Sequence, residues 1–366
     1  MDYQQRKNTN WKLKDMKISE FTFDLPQELI AQTPAQKRGD DRLLVIDRVT
    51  GDYQDLHMGD FPSLIEAGSV VVVNDTRVRK ARVFGISETG GKVEFLFTGA
   101  VGPDRWQAMV SKSKKQRPGK GYDFFTPSGE LYCKAIIDTD VDDKDSGSSL
   151  KVVRFDRPVD EDFFQKCGHV PLPPYIKRED DFNDEKRYQT IFANECGSMA
   201  SPTAGLHFTP EMVSALENKG VEILHITLHV GMGTFLPVRT ENLEDHVMHT
   251  ESYHVSEDVA DKVNRAKREG RKVVAIGTTS VRTLESAVDR KTGLLMAGSS
   301  ATNLFIKPGF EFMIVNQMLT NFHTPESTLL VLVSAFAGRE HILEAYRHAV
   351  EQRYHFFSYG DATFLK

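Results

Sequence analysis

Between Val78 and about Arg157 the chain never offers a helix. Short alternating runs, "KVEFLFTG", "RWQAMV", "LYCKAII" and "KVVRF", are separated by Gly, Pro and Asp/Ser clusters. A side-chain period of two over so few residues makes half-buried strands, and regularly spaced short strands close into a small barrel or sandwich. On either side the texture is different. Before it, "LPQELIAQ" reads as a short helix opened by Pro26, "RLLVIDR" as a strand and "GSVVVVNDT" as a buried strand ending in a polar turn.

After the proline-stiffened linker "GHVPLPPYIKR", strands and helices alternate. "EMVSALENKG" is helical and closes on Gly220, "VEILHITLHV" is a strand, and "SEDVADKVNRAKREG" is helical. "RKVVAIG" is a strand, "TTSVRTLESAV" and "REHILEAYRHAVEQRY" are helical, and "STLLVLVSAFAG" fits either state. Such alternation predicts a mostly parallel sheet with ligands at the carboxyl ends of its strands. The expected fold is therefore a larger α/β domain interrupted by an inserted small all-β barrel domain. Its expected limits are a flexible tail at 1–16, a first α/β part at 17–77, the barrel at 78–157 and a second α/β part at 158–366.

A chain of 366 residues is long for one compact core, which agrees with two domains. No run approaches the roughly 18 apolar residues of a membrane span. The polar leader "MDYQQRKNTNWKLKD" has no apolar signal-peptide core and reads as a loose tail, with Met16 a second candidate start. Cys133, Cys167 and Cys196 lack C-x-x-C spacing, which fits a reducing cytoplasm and argues against structural zinc or disulfides. The net charge of -6 disfavours nucleic acid on average, yet binding needs only a local patch. "RVRKAR" supplies Arg77, Arg79, Lys80 and Arg82, and "KSKKQRPGKG" supplies Lys112, Lys114, Lys115, Arg117 and Lys120.

A set of polar knots carries the chemistry. "ASPTAGLHFTP" holds Thr203, Gly205, His207 and Thr209 in a loop stiffened by prolines at 202 and 210. In "VEILHITLHVGMGTFLPV", alternation puts His225, Thr227 and His229 on one face, and Gly231 and Gly233 follow at the strand end. "VVAIGTTSVRTLESA" runs from a strand into a helix whose first turn bears Thr278, Thr279, Ser280 and Arg282, a ready anion site. "NDTRV" and "LTNFHTPEST" add Asp75, Arg77, Asn321 and His323. "EDHVMHTESYHV" tempts a metal assignment through His246, His249, Glu251 and His254. On an extended segment, however, His249, Glu251 and Tyr253 project away from His246 and His254, so Glu251 as base or acceptor is preferred and no metal is expected. Loops at one sheet edge share one crevice.

Together these segments resemble the S-adenosylmethionine:tRNA ribosyltransferase-isomerase (QueA) family of queuosine biosynthesis. "LIAQTP", "VVVNDTRV", "GHVPLPPYIKR", "RYQTIFA", "SPTAGLHFTP", "TLHVGMGTFLPV", "MHTESY", "AIGTTSVRTLES", "LTNFHTPESTLLVLVSAFAG" and "FFSYGDATF" carry the likeness from about Phe23 onward. The resemblance implies an α/β domain interrupted by a β-barrel. It also implies that S-adenosylmethionine is a co-substrate whose ribosyl portion passes to an aminomethyl-deazaguanine at the tRNA wobble position, releasing adenine and methionine. A cytoplasmic monomer acting on tRNA, without metal or membrane, is the expectation.

Chemistry and position then assign candidate roles. His207, His229 and Glu251 are acid/base candidates, and Asp75 and His323 complete the catalytic set. Thr278, Thr279, Ser280 and Arg282 form the anion site. Thr203, Gly205, Gly231, Gly233 and Thr234 shape the S-adenosylmethionine pocket, with Phe208, Phe235 and Tyr253 as stacking aromatics. Arg77, Arg79, Lys80, Lys112, Lys114, Lys115 and Arg117 are candidate RNA contacts. Ser198, Thr324 and Glu326 depart from the residues expected at their places. Two rivals are an S-adenosylmethionine-dependent RNA methyltransferase, for which no G-x-G-x-x-G loop is present, and a non-catalytic RNA-binding protein, which leaves the clustered histidines without a task.

Overall fold

The computed structural model describes residues 16–142, 149–231, 233 and 240–366. The leader before Met16, Thr234 and Phe235 lie outside the described residues. The described strands form a nine-stranded mixed sheet, a closed barrel and two small two-stranded sheets.

The centre of the large sheet is parallel. Glu222–Leu228, Val70–Asn74, Val273–Ile276 and Gln317–Asn321 run side by side in the same direction. Toward the edges the direction alternates. Glu251–Val255 and Gly298–Thr302 add antiparallel on one side, and Ala362–Leu365 is antiparallel to Gln317–Asn321 on the other. The outermost pair, Arg42–Ile46 with Tyr53–His57, is joined by too short a turn for a crossover and is therefore antiparallel. The sheet is thus parallel where expected and mixed at its flanks.

The run Val70–Val73 is apolar at every position because both faces of its strand are covered. Val70 and Val72 belong to one core cluster, Val71 and Val73 to another on the opposite face. "STLLVLVSAFAG" resolves as a helix, Thr328–Ala337, because the Ser327 hydroxyl caps it by accepting from the Leu330 amide at 3.2 Å. "LPQELIAQ" is only a 3-10 turn, Gln27–Leu29, since Ile30 leaves it in extended conformation to bridge Phe356.

Six antiparallel strands between Arg82 and Phe155 close the barrel where Gly85 pairs with Phe124. Phe95, Phe97, Phe124 and Phe155 fill it, and Phe163 and Phe164 of the helix Glu161–Cys167 cap it. A Cβ at Gly85 would stand 3.0 Å from the Phe95 ring, so the glycine is what lets the rings meet. Outside the barrel, Leu150, Leu96 and Met109 pack on Met199, which immediately precedes the "ASPTAG" loop. No helix among the described residues is long and apolar enough to cross a membrane.

Candidate active site

At the carboxyl ends of the parallel strands, loops from several regions enclose a cleft of about 410 Å³. Its walls come from Ser201–Ala204, Val230 with Gly233, Asp245–Glu251, the start of the helix Thr278–Ser286, and Thr320–Leu329. Gly277, at φ 86°, turns the strand Val273–Ile276 directly into that helix, which leaves the first-turn amides facing the cleft without helical partners.

Glu251 and Arg282, both buried, form an ion pair beneath the helix start. Arg282 Nη1 donates to Glu251 Oε2, while Glu251 Oε1 accepts the Gly231 amide at 2.8 Å. Arg282 Nε donates to the Leu304 carbonyl at 3.2 Å, yet Nη2 is buried with no hydrogen-bond partner among the described residues. Ser201 Oγ, Thr240 Oγ1, Thr279 Oγ1 and Asn321 Oδ1, also on cleft-lining residues, share that condition. A buried polar group left unpaired costs about 1–3 kcal/mol, so such a concentration marks a surface built to receive a polar ligand. Phe357 and Glu326, two further lining residues, hold φ of 75° and 54°, strain of the kind retained at functional sites.

Three histidines line the cleft: His246, His249 and His323. Complete burial pushes the His323 imidazole down to about 3, so it is uncharged, and its Nε2 lies 3.1 Å from the Thr320 hydroxyl. Burial, then the neighbouring His249, lowers His246, whose ring meets Phe305 edge-on at 5.4 Å. Among the described residues no three His, Cys, Asp or Glu side chains gather as a metal site.

Of the candidate residues, Thr203, Gly233, Glu251, Thr278, Thr279, Arg282 and His323 line the cleft. Others do not line it, and the structure gives each of these a different setting. His207 is buried with Nδ1 2.8 Å from Asp41 and belongs to the support of the loop. His229 turns to the opposite side from Val230, and its Nδ1 shares a 2.7 Å hydrogen bond with Thr76 Oγ1. Asp75 accepts from Thr227 Oγ1 at 2.7 Å and is held in its turn, its carboxyl raised by burial. Phe208 is a core ring against Phe61 and Phe192, Ser280 Oγ is spent on the Ile276 carbonyl, and Tyr253 packs on Leu228 and Val230. Gly205 is fixed by contact, since a Cβ there would lie 2.8 Å from Thr190. Sequence reasoning gave no role to Ser201, Thr240 or Tyr175. None of these has a periodic signal, although Tyr175 sits in the proline-rich linker.

The two basic runs differ in kind. Arg79 is paired with Glu161 at 2.8 Å and Lys80 with Glu185 at 2.7 Å, so these two brace local structure, whereas Arg77 is exposed. Lys112, Lys114, Lys115 and Arg117 all remain exposed. Buried Gln116 anchors their loop by accepting from Tyr122 Oη and Lys120 and donating to the Ser111 carbonyl.

An α/β body with an inserted barrel and a polar cleft at the strand ends is the architecture of an enzyme. The chain belongs to the queuosine biosynthesis protein family, whose model matches residues 18–365. It is 47% identical over 356 residues to the S-adenosylmethionine:tRNA ribosyltransferase-isomerase of Treponema denticola, covering 96% of this chain and 100% of that one. The protein of the same name from Acetivibrio thermocellus is 47% identical over 352 residues, again covering 96% of this chain and 100% of that one. The crystal structure of S-adenosylmethionine tRNA ribosyltransferase from Thermotoga maritima is similar at 30% identity and a TM-score of 0.52, over 95% of this chain and 100% of that one.

Proposed function

We infer that this chain is a transferase that passes the ribosyl moiety of S-adenosylmethionine to tRNA and isomerises it, in queuosine biosynthesis. Full-length family membership supports the reaction. The observation that supports the binding mode is Arg282 Nη2, without a hydrogen-bond partner among the described residues, beside the open helix start at Thr278 and Thr279. That arrangement suits the methionine carboxylate, which receives a guanidinium, a hydroxyl and backbone amides together.

The chemistry asks little more of the protein. The positive sulfur acidifies the adjacent ribose carbon and leaves as a neutral thioether, so the cleft must orient the substrate, exclude water and accept one proton. His323, uncharged, is suited to a neutral hydrogen-bonding partner such as the adenine edge. Glu251 holds Arg282 in place. The barrel loop at Lys112–Arg117 offers the phosphate-binding surface, and residues 78–157 are the inserted unit that carries it. We place the acceptor at the tRNA wobble base and the protein in the cytoplasm as a monomer.

Products test the reading. Incubation with S-adenosylmethionine and tRNA bearing the aminomethyl-deazaguanine should yield adenine, methionine and epoxyqueuosine-tRNA. S-adenosylhomocysteine would instead indicate methyl transfer, which the family match does not support, and no product at all would indicate binding alone.

A further inference from the structure

Neither face of the expected acid/base set leaves a free base where it is needed. His207 and His229 do not line the cleft, and both oxygens of Glu251 are occupied, one by Arg282 and one by the Gly231 amide. Burial holds His323 at about 3 and Tyr175 at about 12, so neither takes a proton readily near neutrality. Asp245 and Glu326 are exposed at the rim, where water competes for their carboxylates. His246 is turned against Phe305, and a charge on it is opposed by burial and by His249.

His249 is different. Its ring lies over Gly233, where a Cβ would come within 2.6 Å of Cδ2, so the "GMG" glycine is what gives the imidazole its place in the cleft. It is half-buried on the cleft wall, and no hydrogen bond engages its ring nitrogens among the described residues. Two residues before Glu251 in the chain, it lines the same cleft as Glu251, Arg282 and Thr279.

We propose that His249 is the catalytic base that removes the ribose proton next to the sulfonium of bound S-adenosylmethionine. The inference rests on the ribosyl-transfer reading above. A lone pair on an imidazole nitrogen takes the proton, the carbon–hydrogen electron pair stays on the carbon beside the positive sulfur, and the imidazole becomes imidazolium. Proton transfer by a positioned side chain is worth about a hundred- to ten-thousandfold.

The experiment compares full-length wild type, His249→Ala, His249→Gln and His246→Ala with S-adenosylmethionine and precursor tRNA. It reads adenine release, calorimetric S-adenosylmethionine binding and rescue by added imidazole. His249→Ala and His249→Gln should lose about a hundredfold or more in kcat with binding kept within about threefold, and imidazole should restore part of the His249→Ala rate. The idea is overturned if either folded variant releases adenine near the wild-type rate, if imidazole restores nothing, or if His246→Ala alone shows the loss. Wild type that releases neither adenine nor methionine would sink the underlying reading instead.

Discussion

Arg282 reaches Glu251 through one guanidinium nitrogen and leaves its other terminal nitrogen, Nη2, buried at the cleft with no hydrogen-bond partner among the described residues. Lysine supplies a point charge and cannot hold a carboxylate on two sides. Arg282→Lys should therefore raise the dissociation constant for S-adenosylmethionine about 10- to 100-fold, the worth of one charge-assisted hydrogen bond of about 1.5–3 kcal/mol. Calorimetry checks it, and an unchanged affinity would remove Arg282 from carboxylate binding. Glu251→Ala leaves the buried guanidinium uncompensated and should cost about 3–5 kcal/mol in denaturant unfolding.

His207→Ala deletes a ring that bonds Asp41 away from the cleft. A loss of about 1–3 kcal/mol in stability is expected, with kcat of the folded fraction close to wild type. Chemical denaturation and adenine release, measured on one preparation, separate the two effects. A large fall in kcat at unchanged stability would return His207 to the chemistry.

Reversing Lys114 and Lys115 to Glu tests the barrel loop. Each lost phosphate contact should lower the slope of log affinity against log salt by about one, so the double variant should lose about two or more. Filter binding of tRNA across a salt series reads this, and a wild-type slope would locate the RNA elsewhere.

Asp184 gives a pH-dependent test of stability. Burial alone would raise its carboxyl, but the paired hydrogen bonds from Arg178 at 2.6 and 2.8 Å, the Asp181 amide and Tyr359 outweigh it and hold it below the ordinary value. A depressed folded pKa contributes stability above the unfolded value near 3.8, and that contribution is lost as pH falls through the folded value. Asp184→Asn should therefore flatten the acid limb of the Tm–pH curve below about pH 4, while lowering Tm at neutral pH. An acid limb identical to wild type would show that another group governs it.

Much of the architecture was legible because it follows from local periodicity. The short alternating runs from Val78 to Arg157 could hardly be anything but small strands, and the paired faces of Val70–Val73 needed cover on both sides. The mixed flanks of the sheet were not legible, since strand direction at an edge depends on which distant segment arrives there. The final strand Ala362–Leu365, parallel to Arg42–Ile46 from the other end of the chain, is of this kind.

Candidate site residues divide along the same line. A helix start such as Gly277–Thr279 carries its amides and dipole wherever it is placed, so its polar character was readable in the sequence, and it lines the cleft. Alternation also put His229 and Val230 on opposite faces, but which face meets the cleft was set by packing around Thr76 and Met199. Likewise, nothing local tells that Glu251 spends its carboxylate on Arg282, or that Gly233 clears room for His249. Backbone periodicity and capping act between neighbours and are written in the chain order. Partnership and burial act between residues far apart in that order, and only the folded chain decides them.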